Sequence, residues 1–274
     1  MSAQELIYGI HAVLSVIRSQ PDRVLELWVD QGRRDARIRE LVETARHRGL
    51  QVQHVEARTL ARKVGDVGHQ GIVARCRAAP ALREGDLPEI LDAVLEPVLV
   101  LVLDGVTDPH NLGACLRSAE AAGVHLLIVP TDRAAPLTPA VRKIACGAAE
   151  RVPFIMVKNL ARTLRLLQAR GIWLYGTDDA AKTVLYDADL TGSVALLMGA
   201  EGRGLRRLTR ELCDHLVSLP MAGQAESLNV SVAAGICLYE ALRQRKYTTR
   251  KTRSSTEQKW IFALYLIESY TIIV

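Results

Sequence analysis

The sequence predicts an α/β protein whose C-terminal part is a mostly parallel sheet with helices on both faces. Two observations support this fold class. Apolar runs recur between residues 98 and 220, and stretches with helical spacing separate most of them. The first run, VLVLVLD at 98–104, is apolar up to its last position, which is typical of a parallel strand covered on both faces. Alternation of such strands with helices favours an open parallel sheet.

A small α/β domain is predicted before this sheet, over residues 1–76. Its strands are expected at 24–30, 50–55 and 71–76, and its helices at 35–49 and 57–65. Residues 77–97 contain three prolines and only two Lys/Arg against five Asp/Glu, which indicates a linker that carries one short helix.

The sheet itself is predicted to occupy residues 98–246. Its expected strands are 98–104, 126–130, 153–157, 172–177, 194–199 and 215–220. Residues 247–274 differ in composition, because a Thr/Ser/Lys/Arg-rich stretch is followed by an aromatic-rich one. This last segment is interpreted as an atypical C-terminal extension outside the core fold.

Composition and charge exclude several classes of protein. Hydrophobic residues make up 49% of the chain, so it has enough apolar surface for a folded core. The net charge of +5 permits a polyanionic partner without requiring one. The cysteines number five and form no C-x-x-C, which argues against a disulfide framework or a zinc site and is consistent with a reducing cytoplasm. We expect no secretory leader, no membrane span and no metal.

The first stretch that could carry chemistry is LDGVTDPHNLGACLRSAEAAGV, residues 103–124. A strand ends at Asp104, Asp108 and Pro109 start a helix, and Gly123 ends it. Open parallel sheets bind ligands beyond the carboxyl ends of their strands, so Asn111 and Arg117 are candidate site residues. The alternative is that Asn111 only caps the helix and Arg117 is an exposed helical arginine.

The second stretch is LLMGAEGRGL, residues 196–205, where an apolar strand leads into three glycines and Glu201. Glycine allows backbone groups to approach a ligand closely. The chain lacks the G-x-G-x-x-G of a dinucleotide-binding loop after its first parallel strand. A plain tight turn is the alternative interpretation.

The third stretch is MAGQAESLNVSVAAG, residues 221–235, where Ser227 and Asn229 precede an apolar helix. Either residue alone could serve only as a helix cap. Three strand ends of one sheet therefore carry glycine-rich or polar loops, and together they favour a composite site at one edge.

These three stretches resemble the motifs of the SpoU family of RNA 2′-O-ribose methyltransferases, within the SPOUT class. The first matches N-x-G-x-x-x-R-x-A-x-x-x-G, the second G-x-E-x-x-G and the third S-L-N-V-S. Residues 7–13 and 69–76 are similar to the substrate-binding domain of the 23S ribosomal RNA guanosine 2′-O-methyltransferases.

The resemblance implies a deep trefoil knot in the C-terminal domain, with S-adenosylmethionine as the cofactor bound there. It also implies methyl transfer to a guanosine of the peptidyl-transferase centre, and a homodimer paired through the knot region. The implied catalytic residues are Asn111, Arg117, Glu201, Ser227 and Asn229. The implied cofactor-binding residues are Met198, Gly199, Ala200, Gly204, Leu219, Met221 and Leu228.

The resemblance leaves the role of Arg117 open between proton acceptor and phosphate clamp. Arginine keeps its proton at ordinary pH, so a role as base requires it to lose a proton that it normally holds. RNA contacts are expected mainly from the N-terminal domain, where isolated surface arginines are candidates for phosphate binding: Arg18, Arg33, Arg34, Arg46 and Arg48.

For assembly, the apolar helix 230–242 is expected to contact the partner subunit through Leu238 and Leu242. The alternative is that this helix packs only inside its own subunit.

Other functions remain open at this point. One is 2′-O-methylation of a different ribosomal or transfer RNA nucleotide. A second is a non-catalytic RNA-binding protein, suggested by the small basic domain. A third is a nucleotide-dependent dehydrogenase with the same class of sheet, against which the missing glycine fingerprint counts.

Overall fold

The N-terminal part of the chain forms a four-stranded sheet with strand order β1-β4-β2-β3. The computed structural model describes residues 4–65, 67–78, 82–225 and 227–248, with side chains described to residue 246. The elements of this part are β1 (Gln4–Tyr8), α1 (Ile10–Ser19), β2 (Val24–Asp30), α2 (Ala36–His47), β3 (Val52–Val55), α3 (Ala57–Val64) and β4 (Ile72–Arg77). Three strands and two helices lie where the sequence predicts them, whereas β1 and α1 are additional.

The C-terminal part forms a seven-stranded sheet in which every neighbouring pair of strands is parallel. Its elements are α4 (Leu87–Asp92), β5 (Leu99–Asp104), α5 (Pro109–Ala121), β6 (Leu126–Pro130), α6 (Pro139–Ile144), β7 (Phe154–Val157), α7 (Leu160–Ala169), β8 (Trp173–Thr177), β9 (Thr183–Val184), β10 (Val194–Gly199), α8 (Arg207–Leu212), β11 (His215–Ser218) and α9 (Val230–Thr248). The strand order is β7-β6-β5-β10-β8-β11-β9, so β10 lies in the middle of the sheet.

Helices cover both faces of this sheet, which confirms the predicted fold class. Alternate residues of β5 enter different cores: Leu101 packs with residues of α5, α6 and α9, whereas Val102 packs with residues of α4 and α7. Both side chains are fully buried. A strand covered on both faces has no solvated side, which explains its uninterrupted apolar sequence.

The segment that connects the two sheets packs onto the second of them. Leu87 and Leu91 of α4 are buried in the same core as Val102. Ahead of α4, Glu84 accepts a hydrogen bond of 3.1 Å from the Nε of Arg162 in α7. The described part of this connection is therefore held against the α7 layer.

Four charged side chains join the two sheets, and we call them the interdomain ion cluster: Glu5, Arg23, Arg142 and Glu150. Arg23 lies 2.5 Å from the carboxylate of Glu5 and 3.3 Å from that of Glu150. Arg142 pairs with the same two carboxylates. The Glu150 side chain is only 2% exposed, so its charge is compensated by the two guanidinium groups.

The last helix, α9, packs one face against its own subunit. Ala234, Leu238 and Ala241 are fully buried, whereas Val232 and Tyr239 are 51% and 53% exposed. The expectation that Leu238 contacts a partner subunit is therefore wrong, because Leu238 fills the core beneath the helix. Val232 and Tyr239 are seven residues apart, so the helical period places them on the same face as each other. This exposed face differs from the one that buries Leu238.

The end of α9 is tied to the start of the sheet through Arg245. Its guanidinium donates to the carbonyl oxygens of Pro97 and Val98 at 2.9 and 3.0 Å, and to that of Leu190 at 3.1 Å. These carbonyls precede β5 and β10, the two central strands. The predicted extension lies outside the described residues from position 249 onward. In the described part of the chain, none of the helices combines the length with the apolar character that crossing a bilayer requires.

Candidate active site

Side chains from all three sequence motifs meet at the carboxyl edge of the seven-stranded sheet. Asn111 donates from Nδ2 to the Oε1 of Glu201 at 3.0 Å, and Asn229 donates to the same oxygen at 2.6 Å. The Nδ2 of Asn229 also lies 2.9 Å from the Oδ1 of Asn111. We call these three residues the amide–carboxylate cluster. It joins the starts of α5 and α9 to the turn after β10.

Asn111 is not the residue that caps α5. Asp108 does so, since its Oδ1 accepts from the backbone N–H of His110 at 3.0 Å, and Pro109 occupies the first helical position. The side chain of Asn111, in the first turn of the helix, therefore remains available for Glu201.

Asn229 serves as both a helix cap and a member of the cluster. Its Oδ1 accepts from the backbone N–H and the hydroxyl of Ser231 at 3.0 and 2.6 Å, while its Nδ2 points to Glu201 and Asn111. The two interpretations that the sequence allowed for this residue are compatible, because each uses a different end of the amide.

The turn after β10 is closed by its own backbone. Ala200 and Gly204 exchange N–H···O bonds of 3.1 and 2.9 Å, and Gly204 has φ +64°. A Cβ on Gly199 would lie 2.0 Å from the carbonyl carbon of Gly204, so this position excludes any side chain. A Cβ on Gly204, by contrast, would meet nothing within 4 Å. Gly199 is thus required by the turn, and Gly204 leaves open space beside it.

An ion pair between an exposed arginine and a buried carboxylate fixes the far side of this turn. Asp104, at the end of β5, is fully buried and accepts from the backbone N–H of Arg206 at 3.1 Å and from its Nε at 2.5 Å. Since β5 and β10 are neighbours, this pair anchors the turn over the end of the adjacent strand. The sequence alone marks Asp104 only as the end of a strand.

A cavity of about 580 Å³, the edge cavity, lies between this ion pair and the amide–carboxylate cluster. Its lining comprises Asp104, Gly105, Val106, Thr107, Asp108, Asn111, Arg133, Ala200, Glu201, Arg203, Gly204, Leu205, Arg206, Arg207 and Val230. Four arginines belong to this set, and sequence reasoning missed all of them. The run GRGLRR at 202–207 was the available signal for three of these arginines.

Arg117 lies apart from the amide–carboxylate cluster. It is six residues beyond Asn111 on α5, and at roughly 100° per residue this spacing places the two side chains about 120° apart around the helix axis. The exposed guanidinium of Arg117 has its Nη1 3.9 Å from the Sγ of Cys146, in the turn after α6. The structure therefore places Arg117 on another side of α5 from Asn111.

The other predicted site residues are distributed around the carboxyl edge. Met198 is 1% exposed in β10, Leu219 and Leu228 are half-buried, and Ser227 and Met221 are exposed. Four of the predicted site residues line the edge cavity: Asn111, Ala200, Glu201 and Gly204. Asn229 is outside the lining and is hydrogen-bonded to Glu201. Across the described residues, no group of three or more His, Cys, Asp or Glu side chains could hold a metal ion.

Comparison with known proteins identifies the family. Residues 98–239 match the model of the SpoU rRNA Methylase family, and residues 6–82 match that of the RNA 2′-O ribose methyltransferase substrate-binding domain. The chain belongs to the SpoU rRNA methylase family. The three motifs that meet at the sheet edge lie within residues 98–239.

Relatives of known name cover almost the whole chain. One is the 23S rRNA (guanosine-2′-O-)-methyltransferase RlmB of Shewanella oneidensis, 55% identical over 90% of this chain and 100% of its own length. The protein of the same name from Escherichia coli K12 is 53% identical over 88% and 99%.

A similar SpoU fold is known from a crystal structure. The SpoU methyltransferase AviRb of Streptomyces viridochromogenes, in complex with the cofactor AdoMet, is similar with a TM-score of 0.72 and 31% identity. The match covers 88% of this chain and 90% of AviRb.

Proposed function

We propose that this chain transfers a methyl group from S-adenosylmethionine to the ribose 2′-hydroxyl of a guanosine in the peptidyl-transferase centre of 23S ribosomal RNA. The observation that carries the proposal is the amide–carboxylate cluster, in which all three SpoU motifs share hydrogen bonds beside a cavity. Relatives named as 23S rRNA (guanosine-2′-O-)-methyltransferases match over about nine-tenths of the chain. The chain is an S-adenosylmethionine-dependent RNA methyltransferase, which excludes the dehydrogenase and non-catalytic alternatives.

The edge of the sheet fits S-adenosylmethionine. A cavity of about 580 Å³ is in the size range of small-molecule sites, and Gly204 leaves space where a side chain would stand. When bound, S-adenosylmethionine supplies an electrophilic methyl group. We assign seven residues at this edge to holding it. Ala200 and Gly204 line the cavity. The other five lie outside its lining, at the end of β10, after β11 and ahead of α9: Met198, Gly199, Leu219, Met221 and Leu228.

Arg117 acts in this proposal as a clamp on the RNA phosphate beside the attacked hydroxyl. A hydroxyl is a weak nucleophile, so it must be held in line with the methyl group and must lose its proton, which in this proposal passes to solvent water as the O–C bond forms and the S–C bond breaks. Arg117 is exposed, and a guanidinium is a pure donor that matches phosphate oxygens. Clamping therefore fits the residue better than a role as base does.

The amide–carboxylate cluster positions the reacting groups. Three donors converge on the Oε1 of Glu201: the amides of Asn111 and Asn229 and the backbone N–H of Val230 at 3.3 Å. A carboxylate held in this way fixes both amides relative to the turn after β10. Ser227, two residues before Asn229, is assigned to shaping the pocket.

The experiment that tests the proposal is methyl transfer from tritiated S-adenosylmethionine into unmethylated 23S ribosomal RNA, followed by mapping of the labelled nucleotide. We expect label on one guanosine ribose. Label in transfer RNA or at another ribosomal nucleotide would support the alternative substrate instead. If the protein binds S-adenosylmethionine and labels none of these RNAs, the proposed activity is wrong.

We assign a homodimer to this chain, formed through the outer face of α9 that carries Val232, Ile236 and Tyr239. Val232 and Tyr239 are about half exposed, and the half-buried Ile236 lies between them on the helix. Replacing both Val232 and Tyr239 with Glu is expected to convert a two-chain species into a one-chain species in light scattering. Leu208→Glu, at a similarly exposed leucine of α8, is the matched control. A single-chain parent at micromolar concentration would contradict the assignment.

We further propose that the C-terminal domain contains a trefoil knot and that the protein acts in the cytoplasm. The insertion of β10 between β5 and β8 supports the knot, together with the contact of the following turn with both Asp104 and Asn229. A ribosomal RNA substrate supports the location. Stretching the unfolded chain from its ends tests the knot, because a knotted chain reaches less than its full contour length.

A further inference from the structure

A second cavity, the joint cavity, lies where the two sheets meet. It encloses about 430 Å³ between α1 and the turn that follows α6. Helix α1 contributes His11, Ser15 and Arg18 to its lining, and the turn contributes Cys146 and Arg151. Of the five N-terminal arginines that the sequence marks as candidates for phosphate binding, only Arg18 belongs to the lining.

The walls of the joint cavity are held together by direct contacts. The hydroxyl of Ser15 donates to the carbonyl oxygen of Gly147 at 3.0 Å and accepts from the Nη1 of Arg151 at 2.8 Å. Gly147 has φ +88°, and an added Cβ would lie 2.6 Å from that of Ser15. Helix and turn are thus in close contact, so the cavity is a fixed part of the joint.

Two guanidinium groups of the joint cavity remain accessible to a ligand. The side chains of Arg18 and Arg151 are 56% and 43% exposed, and each pairs with one carboxylate: Glu40 at 3.0 Å and Glu120 at 2.8 Å. A guanidinium has five N–H donors, so one carboxylate leaves others for a further anion. No Asp or Glu is found among the described residues that line the cavity.

A third guanidinium links the joint cavity to the active site. Arg117 approaches Cys146, which lines the cavity, and α5 carries Asn111 six residues earlier. At 1.5 Å per residue, these two positions are roughly 9 Å apart along the helix. A polyanion leaving the joint cavity past Arg117 therefore needs to follow α5 for less than two turns to reach the amide–carboxylate cluster.

We propose that the joint cavity binds the phosphate backbone of the RNA strand next to the methylated nucleotide, with Arg18 and Arg151 as its contacts. The cavity belongs to both parts of the chain, so it aligns RNA held by the N-terminal domain with Arg117. This inference rests on the proposed function and adds a defined path for the substrate.

The test is binding of an unmethylated 23S ribosomal RNA transcript by the full chain and by Arg18→Ala. Loss of one charged contact is expected to weaken binding about tenfold. The plot of log affinity against log salt, whose slope is negative, should become less steep by about 0.7. The matched control is Arg58→Ala, since Arg58 is a salt-bridged exposed arginine on α3 that is absent from the lining. We expect this control to change the affinity less than twofold.

The affinity for S-adenosylmethionine and the melting temperature should remain at the parent values in both variants. Equal RNA affinity of Arg18→Ala and Arg58→Ala would overturn the inference. A parent protein that methylates no 23S ribosomal RNA would instead overturn the proposed function, so the two failures are distinguishable.

Alkylation of Cys146 gives an independent readout of the same site. We expect saturating RNA to slow the reaction of Cys146 with N-ethylmaleimide several-fold, measured on its tryptic peptide, whereas S-adenosylmethionine alone should leave the rate unchanged. An alkylation rate that is unaffected by RNA would contradict binding in the joint cavity.

Discussion

The amide–carboxylate cluster and the interdomain ion cluster are built alike and differ in their access to solvent. Both join side chains far apart in sequence: Asn111 and Glu201 are 90 residues apart, and Arg23 and Glu150 are 127 apart. The first cluster lies at a sheet edge beside an open cavity, while the Glu150 side chain of the second is 2% exposed. The first can therefore act on a ligand, whereas the second holds two parts of the chain together.

The two clusters also differ in their sequence surroundings, and for this reason only the amide–carboxylate cluster could be found in the sequence. Asn111, Glu201 and Asn229 follow apolar strands and stand among glycines and helix starts, which marks them as unusual. Arg23 and Glu150 stand in ordinary polar surroundings and resemble solvated surface charges. Their structural role depends on their pairing in the folded protein, and no local sequence pattern predicts that pairing.

The largest expected effect comes from comparing two arginines, Arg117 and Arg142. We expect Arg117→Ala to lower methyl transfer by about 10³-fold, because a charged contact that orients the reacting groups is lost. Its melting temperature and S-adenosylmethionine affinity should stay near those of the parent. Arg142→Ala should instead lower the melting temperature, since Glu150 then loses one of its two partners. Activity of Arg117→Ala within a few-fold of the parent would remove it from the mechanism.

The next effect concerns the stability supplied by the buried cluster. Glu150→Gln removes a buried charge between two arginines and is expected to cost about 3 kcal/mol in the free energy of unfolding. Glu56→Gln, which breaks an exposed pair with Arg58, should cost less than about 1 kcal/mol. Denaturant titration measures both. Equal costs for the two variants would mean that the interdomain ion cluster contributes no more than a surface pair.

A smaller effect separates the two roles of Asn229. Serine is also a good helix cap, so Asn229→Ser should change the free energy of unfolding by less than about 0.5 kcal/mol. It lacks the amide that donates to Glu201, and we expect methyl transfer to fall about 30-fold, a barrier increase of roughly 2 kcal/mol. Full activity in this variant would show that Asn229 only caps α9.

The smallest perturbation is to label the thiols without changing any residue. Burial raises the pKa of four thiols to about 12: Cys76, Cys115, Cys213 and Cys237. Only a very small fraction of each is therefore ionised to the reactive thiolate at neutral pH. Cys146 lines the joint cavity and should be alkylated first. Mass spectrometry of a time course identifies the order. Labelling of Cys237 before Cys146 would indicate that the α9 core opens more readily than the joint.

The fold was predictable wherever a local pattern determines the element. VLVLVLD becomes β5 because a doubly covered strand needs apolar side chains on both faces. The two-residue strand β9 is too short to leave a pattern. The position of β10 between β5 and β8 depends on long-range pairing that no window of sequence contains.

The candidate site was predictable as a set of motifs and less so as a geometry. Motif spacing led to Asn111, Glu201 and Asn229, which the structure joins. It could not indicate that Arg117 lies beside Cys146, because that contact depends on the turn after α6. It also assigned Leu238 to a partner, since an apolar helix face looks the same whether it packs inside or outside the subunit.

The bonds of Arg245 have a consequence for synthesis on the ribosome. The guanidinium that ties α9 to the carbonyls before β5 and β10 belongs to the last described helix of the chain. At about 5 to 20 residues per second, β5 is made roughly 7 to 30 s before Arg245. During the first part of that interval β5 also lacks β10, its central neighbour in the sheet. The hydrogen bonds that fasten the starts of β5 and β10 to α9 therefore form only after Arg245 has been translated, well after the strands themselves.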